Sequence, residues 1–203
     1  MVASMYLKEE NINKNPFEQF KIWFEEAKNI GLKDPNAMNV ASASKDGIPS
    51  SRMVLLKSYD ENGFIFYTNY TSRKSKEIID NPNVALNFFW DALERQVRIE
   101  GKIKKVEAEV SDEYYDSRSR LSQLGAHASE QSQIIENYEV ITDKLKALED
   151  KYKEKKIPRP DHWGGFIIVP ETIEFWQGHE GRIHDRLKFF RKNESWKIER
   201  LSP

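Results

Sequence analysis

The sequence predicts an α+β fold, a small and mostly antiparallel β-barrel with flanking helices, and three observations lead to it. Between residues 37 and 106, short strand-like runs are separated by Asp46-Gly47 and Asn62-Gly63, dipeptides that supply the positive φ angles of tight hairpins. The chain returns to the same texture from residue 163 to its end. Helical spacing is confined to the neighbourhoods of residues 16–31, 72–80 and 107–156. Strands this closely spaced, joined by short turns, suggest a small barrel.

The elements follow in order. Residues 1–15 are polar and aperiodic and read as a mobile N-terminal arm. Asn15 can cap a helix, Pro16 suits its first position, and Glu18 stands at capping-box spacing. Phe17, Phe20, Phe24 and Ala27 form the buried stripe of that helix, and Gly31 ends it. Strands are expected over 38–44, 50–57 and 64–69, then a short helix over 72–80 capped by Thr71 and stopped by Asn81-Pro82. A further hairpin covers 84–90 and 94–106. Residues 107–156 read as a helical insertion. Within it Ile134, Tyr138, Ile141, Leu145, Leu148 and Tyr152 make the stripe of one long helix, terminated by Pro158 and Pro160. A coiled coil is the competing reading, but the stripe is too short for sustained heptads. Residues 16–203 therefore form one domain.

Composition narrows the function classes. The 203 residues suffice for a real core. The 32 Lys and Arg nearly cancel the 33 Asp and Glu, leaving a net charge of -1. A general nucleic-acid or membrane-surface binder needs a basic excess, so any basic cluster here must be local. Without cysteine there is no disulfide framework, thiolate metal site or cysteine nucleophile. No signal-peptide pattern and no apolar run of about 18 residues is present, so a soluble, cytoplasmic protein is expected. The four histidines do not stand at metal-ligand spacings, and no metal is expected.

Several segments concentrate chemistry. Residues 67–74 run from a strand end into a helix start, where hydroxyls, orphan N–H groups, Arg73 and Lys74 would suit a phosphate. Cations in a first helical turn oppose the helix dipole unless an anion compensates them. Arg52 and Lys57 bound an apolar strand, which also fits two snorkelling ends of a core strand. Gln96 offers a donor and an acceptor to a heteroaromatic edge, though a surface glutamine reads the same way. Tyr114, Arg118 and Ser122, at i, i+4 and i+8, would line one helix face with a ring, a guanidinium and a hydroxyl. Residues 174–178 place Trp176 close to Arg182, His184 and Arg186, which a strand would present on one face. Taken alone, a solvated charged strand would show the same alternation.

Together these segments resemble the pyridoxine (pyridoxamine) 5′-phosphate oxidase family. The matching strings are Ser51-Arg52-Met53-Val54-Leu55-Leu56-Lys57, Phe66-Tyr67-Thr68-Asn69, Ser72-Arg73-Lys74 and Leu93-Glu94-Arg95-Gln96-Val97. They continue through Tyr114, Ser117-Arg118, Ser122-Gln123-Leu124-Gly125-Ala126, Ser129-Glu130-Gln131-Ser132 and His162-Trp163-Gly164-Gly165. Glu174-Phe175-Trp176-Gln177-Gly178, Arg182-Ile183-His184-Asp185-Arg186 and the ending Trp196-Lys197-Ile198-Glu199-Arg200-Leu201-Ser202-Pro203 complete them.

The resemblance implies a split β-barrel of Greek-key type and a homodimer with FMN at its interface. It implies a flavoprotein oxidoreductase of vitamin B6 biosynthesis and salvage. The expected reaction oxidises C4′ of pyridoxamine or pyridoxine 5′-phosphate to give pyridoxal 5′-phosphate. FMN is the hydride acceptor and O2 the reoxidant, with H2O2 released, and NH3 from the amine. By motif position the FMN contacts are Arg52, Met53, Val54, Leu55, Leu56, Lys57, Tyr67, Thr68, Arg73, Lys74, Gln96, Gln131, Ser132, Trp176 and Arg186. The substrate contacts are Lys57, Tyr114, Arg118, Ser122, Arg182 and His184, with Arg182 and His184 as the catalytic pair that positions the ring. Neither nucleic acid nor membrane is an expected partner. A split barrel of the flavin reductase type, or a non-catalytic pyridoxal-phosphate carrier, are the alternatives. The first fifteen residues, with Tyr6 and Lys8, do not reproduce the basic and tyrosyl lid motif usual in bacterial members, so no site residue is carried over there.

Overall fold

In the computed structural model, which describes residues 6–203, nine strands build one curled antiparallel sheet. Helix α1 (Pro16–Asn29) precedes β1 (Ala37–Ala43), β2 (Pro49–Leu55), β3 (Ser58–Asp60) and β4 (Gly63–Asn69). Helix α2 (Arg73–Asp80) leads into β5 (Asn83–Trp90) and β6 (Arg95–Lys105). Three helices follow: α3 (Ala108–Asp116), α4 (Arg120–Ala128) and α5 (Glu139–Lys151). Strands β7 (Trp163–Gln177), β8 (Asp185–Lys192) and β9 (Ser195–Arg200) end the chain. The strand order is β2-β1-β5-β6-β7-β4-β3, with β8 added on β7 and β9 on β8.

Strand β7 organises the sheet. Its first half pairs with β4, Trp163 opposite Asn69 through Ile168 opposite Phe64. Its second half pairs with β8, Thr172 opposite Phe190 through Gln177 opposite Asp185, while β6 runs beside both halves. Pro170 lies at the handover, where a missing ladder donor costs least. The β6 register shifts there, between Glu100 and Gly101. A Cβ on Gly101 would lie 2.2 Å from the Val169 carbonyl oxygen, so only glycine lets the two backbones close at the bend.

Helix α1 fills the concave side. Asn15 Oδ1 accepts from the backbone N–H of Phe17 (2.9 Å) and Glu18 (3.4 Å), as its cap position requires. Phe20 is wholly buried, with Phe64 and Phe88 each 5.1 Å away edge-on. Trp23 meets Phe175 at 5.2 Å. Each such ring pair adds about 0.5–1.5 kcal/mol beyond the area it buries. A second cluster of Tyr115, Leu124, Ala126, Ile157 and Trp163 seats the inserted helices against β7.

Four expectations are corrected. Residues 6–15 are anchored where a mobile arm was expected, and residues 1–5 of that arm lie outside the described residues. Leu7 and Ile12 are buried, the Leu7 N–H donates to Asp185 Oδ2 (2.9 Å), and Arg200 donates to the Leu7 carbonyl (2.7 Å) and to Glu9. The insertion is three helices with a ten-residue loop, and the long helix begins at Glu139 rather than at 134. Ile134 is fully exposed, Ser132 has φ 72°, and Asn137 Oδ1 accepts from the Val140 N–H at the true start. Tyr114, Arg118 and Ser122 do not share one helix, because Ser119 starts α4 by accepting from the Ser122 N–H (3.3 Å). Finally, Arg182, His184 and Arg186 do not lie along a strand. Residues 180–182 form a tight turn with Gly181 at φ 69° and Arg182 at φ 62°, and β8 starts only at Asp185.

Candidate active site

A cleft of about 1030 Å³ opens between β2, the end of β4, the start of α2, the α3–α4 link and the 129–132 segment. Its cationic end grows from the β4–α2 junction. Ser72, rather than the expected Thr71, caps α2 by position but makes no side-chain capping bond, so the first N–H groups of α2 lack a side-chain acceptor there. Lys74, 7% exposed, donates to Thr68 Oγ1 (2.7 Å), Ser72 Oγ (3.2 Å) and Gln131 Oε1 (2.6 Å), all neutral oxygens. Burial and the nearby Arg52 charge push its pKa down to about 8. A buried cation with only neutral partners is stabilised by an arriving anion.

Beside it, Glu77 gathers two arginines. Its carboxylate accepts from Ser42 Oγ (2.6 Å), Ser50 Oγ, Arg52 Nη2 (3.3 Å) and Arg73 Nε (2.8 Å). Burial alone would raise its pKa, but the two hydroxyls, Arg73 and the Arg52 charge bring it down to about 2. Arg52 also donates through Nη1 to Ser42 Oγ (2.6 Å) and the Val40 carbonyl (3.2 Å). Arg73 is bound through Nε, and its side chain stays 63% exposed, which leaves its two Nη groups available to a ligand.

The other wall is aromatic. The rings of Tyr67 and Tyr114 stack at 3.9 Å and 15°, and Tyr67 lies nearly parallel to Trp163 at 5.5 Å. Lys57 Nζ lies over Tyr114 at 5.9 Å, and the Arg118 guanidinium over Trp163 at 4.4 Å. Arg118 Nη1 is buried with no hydrogen-bond partner among the described residues. A group of this kind is costly to leave unpaired, which makes it a binding contact in waiting.

The cleft thus brings together Arg52, Met53, Val54, Leu55, Lys57, Tyr67, Thr68, Arg73, Lys74, Gln131 and Ser132 with Tyr114, Arg118 and Ser122. Leu56 does not face it; that side chain is 4% exposed and belongs to the core. Gln96, Trp176, Arg182, His184 and Arg186 lie outside its lining, on β6, β7, β8 and the turn that leads into β8. Gln96 stands opposite Trp176, and Trp176 opposite Arg186. The Trp176 and His184 rings are 4.6 Å apart, and His184 Nδ1 accepts from the His179 N–H (3.1 Å). Arg186 Nε donates to Glu174 Oε1 (2.8 Å), and Arg182 is exposed.

Sequence reasoning missed Glu77, Ser50 and Trp163. The i,i+4 spacing to Arg73 marks Glu77 only as an ordinary helix-surface ion pair, because Ser42, Ser50 and Arg52 reach it only through the fold. For Trp163 the following glycines carry a signal. A Cβ on Gly165 would lie 2.9 Å from Tyr67 Cε1, so the glycine is what lets that ring lie flat on β7.

The residues present fit FMN and a second phosphate ester. Among the described residues, a buried lysine without a counter-ion and an arginine with an orphaned donor stand on different elements of one cleft, each suited to one phosphate.

The chain is similar to known proteins over nearly its whole length. A family model described as pyridoxamine 5′-phosphate oxidase matches residues 24–152. One described as the pyridoxine 5′-phosphate oxidase C-terminal dimerisation region matches residues 163–203. The chain is 54% identical to the pyridoxine/pyridoxamine 5′-phosphate oxidase of Gloeothece citriformis over 198 residues, covering 97% of this chain and 92% of that one. It is 50% identical to the enzyme of that name from Haemophilus influenzae, covering 97% and 93%. Among solved structures, PhzG from Burkholderia lata, in complex with tetrahydrophenazine-1-carboxylic acid, superposes with a TM-score of 0.92 at 28% identity, covering 100% of this chain and 99% of that one. A pyridoxamine 5′-phosphate oxidase-related, FMN-binding protein from Nostoc punctiforme shares the split-barrel fold at 13% identity, with a TM-score of 0.73 and coverage of 95% and 100%.

Proposed function

The chain belongs to the pyridoxamine 5′-phosphate oxidase family, and from that premise we propose that its cleft holds FMN at the β4–α2 junction and a phosphorylated B6 vitamer against the aromatic wall. The enzyme oxidises C4′ of pyridoxamine or pyridoxine 5′-phosphate to yield pyridoxal 5′-phosphate. The chemistry FMN supplies when bound is acceptance of two electrons from C4′ and their return to O2 as H2O2, with NH3 leaving from the amine substrate. The observation that carries the reading is the pair of cations, Lys74 and Arg118, that share one cleft and have no carboxylate partner among the described residues.

The chain's own residues bind and orient. Arg73 and Lys74, with the free N–H groups of α2, neutralise the flavin phosphate, while Gln131 and Ser132 close over it. Arg118, Lys57 and Ser122 take the substrate phosphate and Tyr114 flanks it. Arg182 and His184 steady the pyridine ring and the charge around C4′ without forming covalent bonds. Holding two reactants in register is the larger part of the rate enhancement expected here. A flavin reductase has no use for the Arg118 pocket, which separates that alternative from the oxidase.

The homodimer follows from the matched dimerisation region, and the cluster around Trp176, Gln96 and Arg186 serves the partner's cleft. A phosphorylated vitamer is an anion that does not cross a bilayer unaided, so enzyme and substrate share the cytoplasm.

Absorption spectroscopy tests the assignment. The purified protein is expected to be yellow, and anaerobic pyridoxamine 5′-phosphate is expected to bleach the flavin band. A colourless protein that takes up no FMN overturns the cofactor site. A yellow protein that does not bleach is a binding module and overturns the oxidase.

A further inference from the structure

We propose that Trp163, which lies outside both expected contact sets, is the positioning residue for Arg118 and thereby sets the enzyme's affinity for the phosphate monoester of its substrate. The inference rests on the substrate site proposed above. Arg118 sits in the short link between α3 and α4, where no helix fixes its side chain. What holds the guanidinium is the indole face of Trp163 at 4.4 Å, with the Tyr115 ring at 5.8 Å.

The contrast with the other two arginines of the cleft gives this meaning. Arg52 and Arg73 are held by the Glu77 carboxylate, which cancels charge and occupies donors. An aromatic face supports a cation through its quadrupole and leaves the donor edges of the guanidinium open. Arg118 therefore keeps its full charge and its buried, unpartnered Nη1 for an incoming phosphate.

Trp163 is itself fixed. Its backbone N–H donates to the Pro160 carbonyl (3.0 Å), and its backbone carbonyl accepts from Arg159 Nη1 (2.8 Å), whose Nε is tied to Asp112 (2.6 Å). Its ring is 6% exposed and lies within 12° of Tyr67 and 8° of Tyr114. Elements β4, α3 and β7 thus make one stiff wall, and Arg118 inherits its orientation. Simple core filling by Trp163 is the competing account, and it depends on bulk rather than on a π face.

The test uses FMN-loaded Trp163→Phe, which keeps a ring face, and Trp163→Leu, which does not. If the leucine chain does not fold, Trp163→Met takes its place. The aliphatic variant is expected to raise KM for pyridoxine 5′-phosphate, and Kd for pyridoxal 5′-phosphate, about tenfold. It should leave kcat and FMN affinity within about twofold, and phenylalanine should recover most of the loss. Unchanged KM and Kd in the aliphatic variant overturn the proposal. So do equal defects in the two variants, or a fall in FMN affinity and kcat alongside KM, which is the signature of lost packing. If the wild type itself does not turn over, the substrate reading has failed. Inorganic phosphate titrated into wild type and the aliphatic variant then decides the Trp163 inference, which equal affinities would overturn.

Discussion

The Glu77 carboxylate is almost fully buried, yet four donors hold it ionised with a pKa of about 2, far under the ordinary 4.5 of a glutamate. Because the folded value is the lower one, the network stabilises the fold fully at and above about pH 4.5, and the contribution is lost as pH falls from there toward 2. A shift of that size is worth on the order of 3 kcal/mol, of which about 2 kcal/mol disappears between pH 6 and pH 3. Urea unfolding at the two pH values checks this. Glu77→Gln is expected to be less stable than wild type at pH 6 but to lose about 2 kcal/mol less on acidification, and an equal acid loss would remove Glu77 from the account. Little of this was legible in the sequence. Arg73 and Lys74 stood out because cations in a first helical turn are unfavourable without an anion. Glu77 read only as the i,i+4 partner of Arg73, since Ser42 and Ser50, which help to bury and ionise it, lie 35 and 27 residues away along the chain.

At the level of elements, what could be read depended on whether the signal was local. Asn15, Pro16 and Gly31 are capping residues whose chemistry acts within one turn, and α1 begins where they place it. Asn15→Ala removes the acceptor of two helix N–H groups and is expected to cost about 1 kcal/mol in chemical denaturation. FMN affinity should be unaffected, and a stability change under about 0.3 kcal/mol would contradict the cap. Periodicity without caps misled. The stripe from Ile134 to Tyr152 has the right spacing, but Ser132, a possible cap by type, takes left-handed backbone at φ 72°, and the loop carrying Gln131 and Ser132 reaches the cleft instead. Likewise the alternation of Arg182, His184 and Arg186 mimics a strand, whereas left-handed backbone at Gly181 and Arg182 turns the chain before β8. The segment at residues 6–12 was illegible for another reason. Its two buried apolar side chains, Leu7 and Ile12, have no period, and the residues that hold it, Asp185 and Arg200, belong to β8 and β9.

For the molecule as a whole, the fold of one chain divides in two the set of site residues that the resemblance implied. The β2, β4 and α2 residues share the cleft, and Gln96, Trp176, Arg182, His184 and Arg186 do not line it. The second half of β7 carries Trp176 away with β8, while the first half stays with β4 beside the cleft. A two-fold dimer resolves the division if each cleft is completed by the partner's cluster, since an isologous interface exchanges both contributions at once. Complementation between two damaged chains tests this directly. Arg118→Ala removes a cleft residue and Arg182→Ala a cluster residue, and each homodimer is expected to be nearly inactive. After the two are unfolded, mixed and refolded with FMN, half of the dimers pair one chain of each kind. Each mixed dimer has one doubly damaged site and one intact site, so about a quarter of wild-type kcat should return. If the cleft and the cluster of one chain served the same site, every site would keep one lesion and mixing would restore nothing. Recovery near a quarter, at wild-type KM, therefore requires that the Arg118 and the Arg182 serving one site come from different chains.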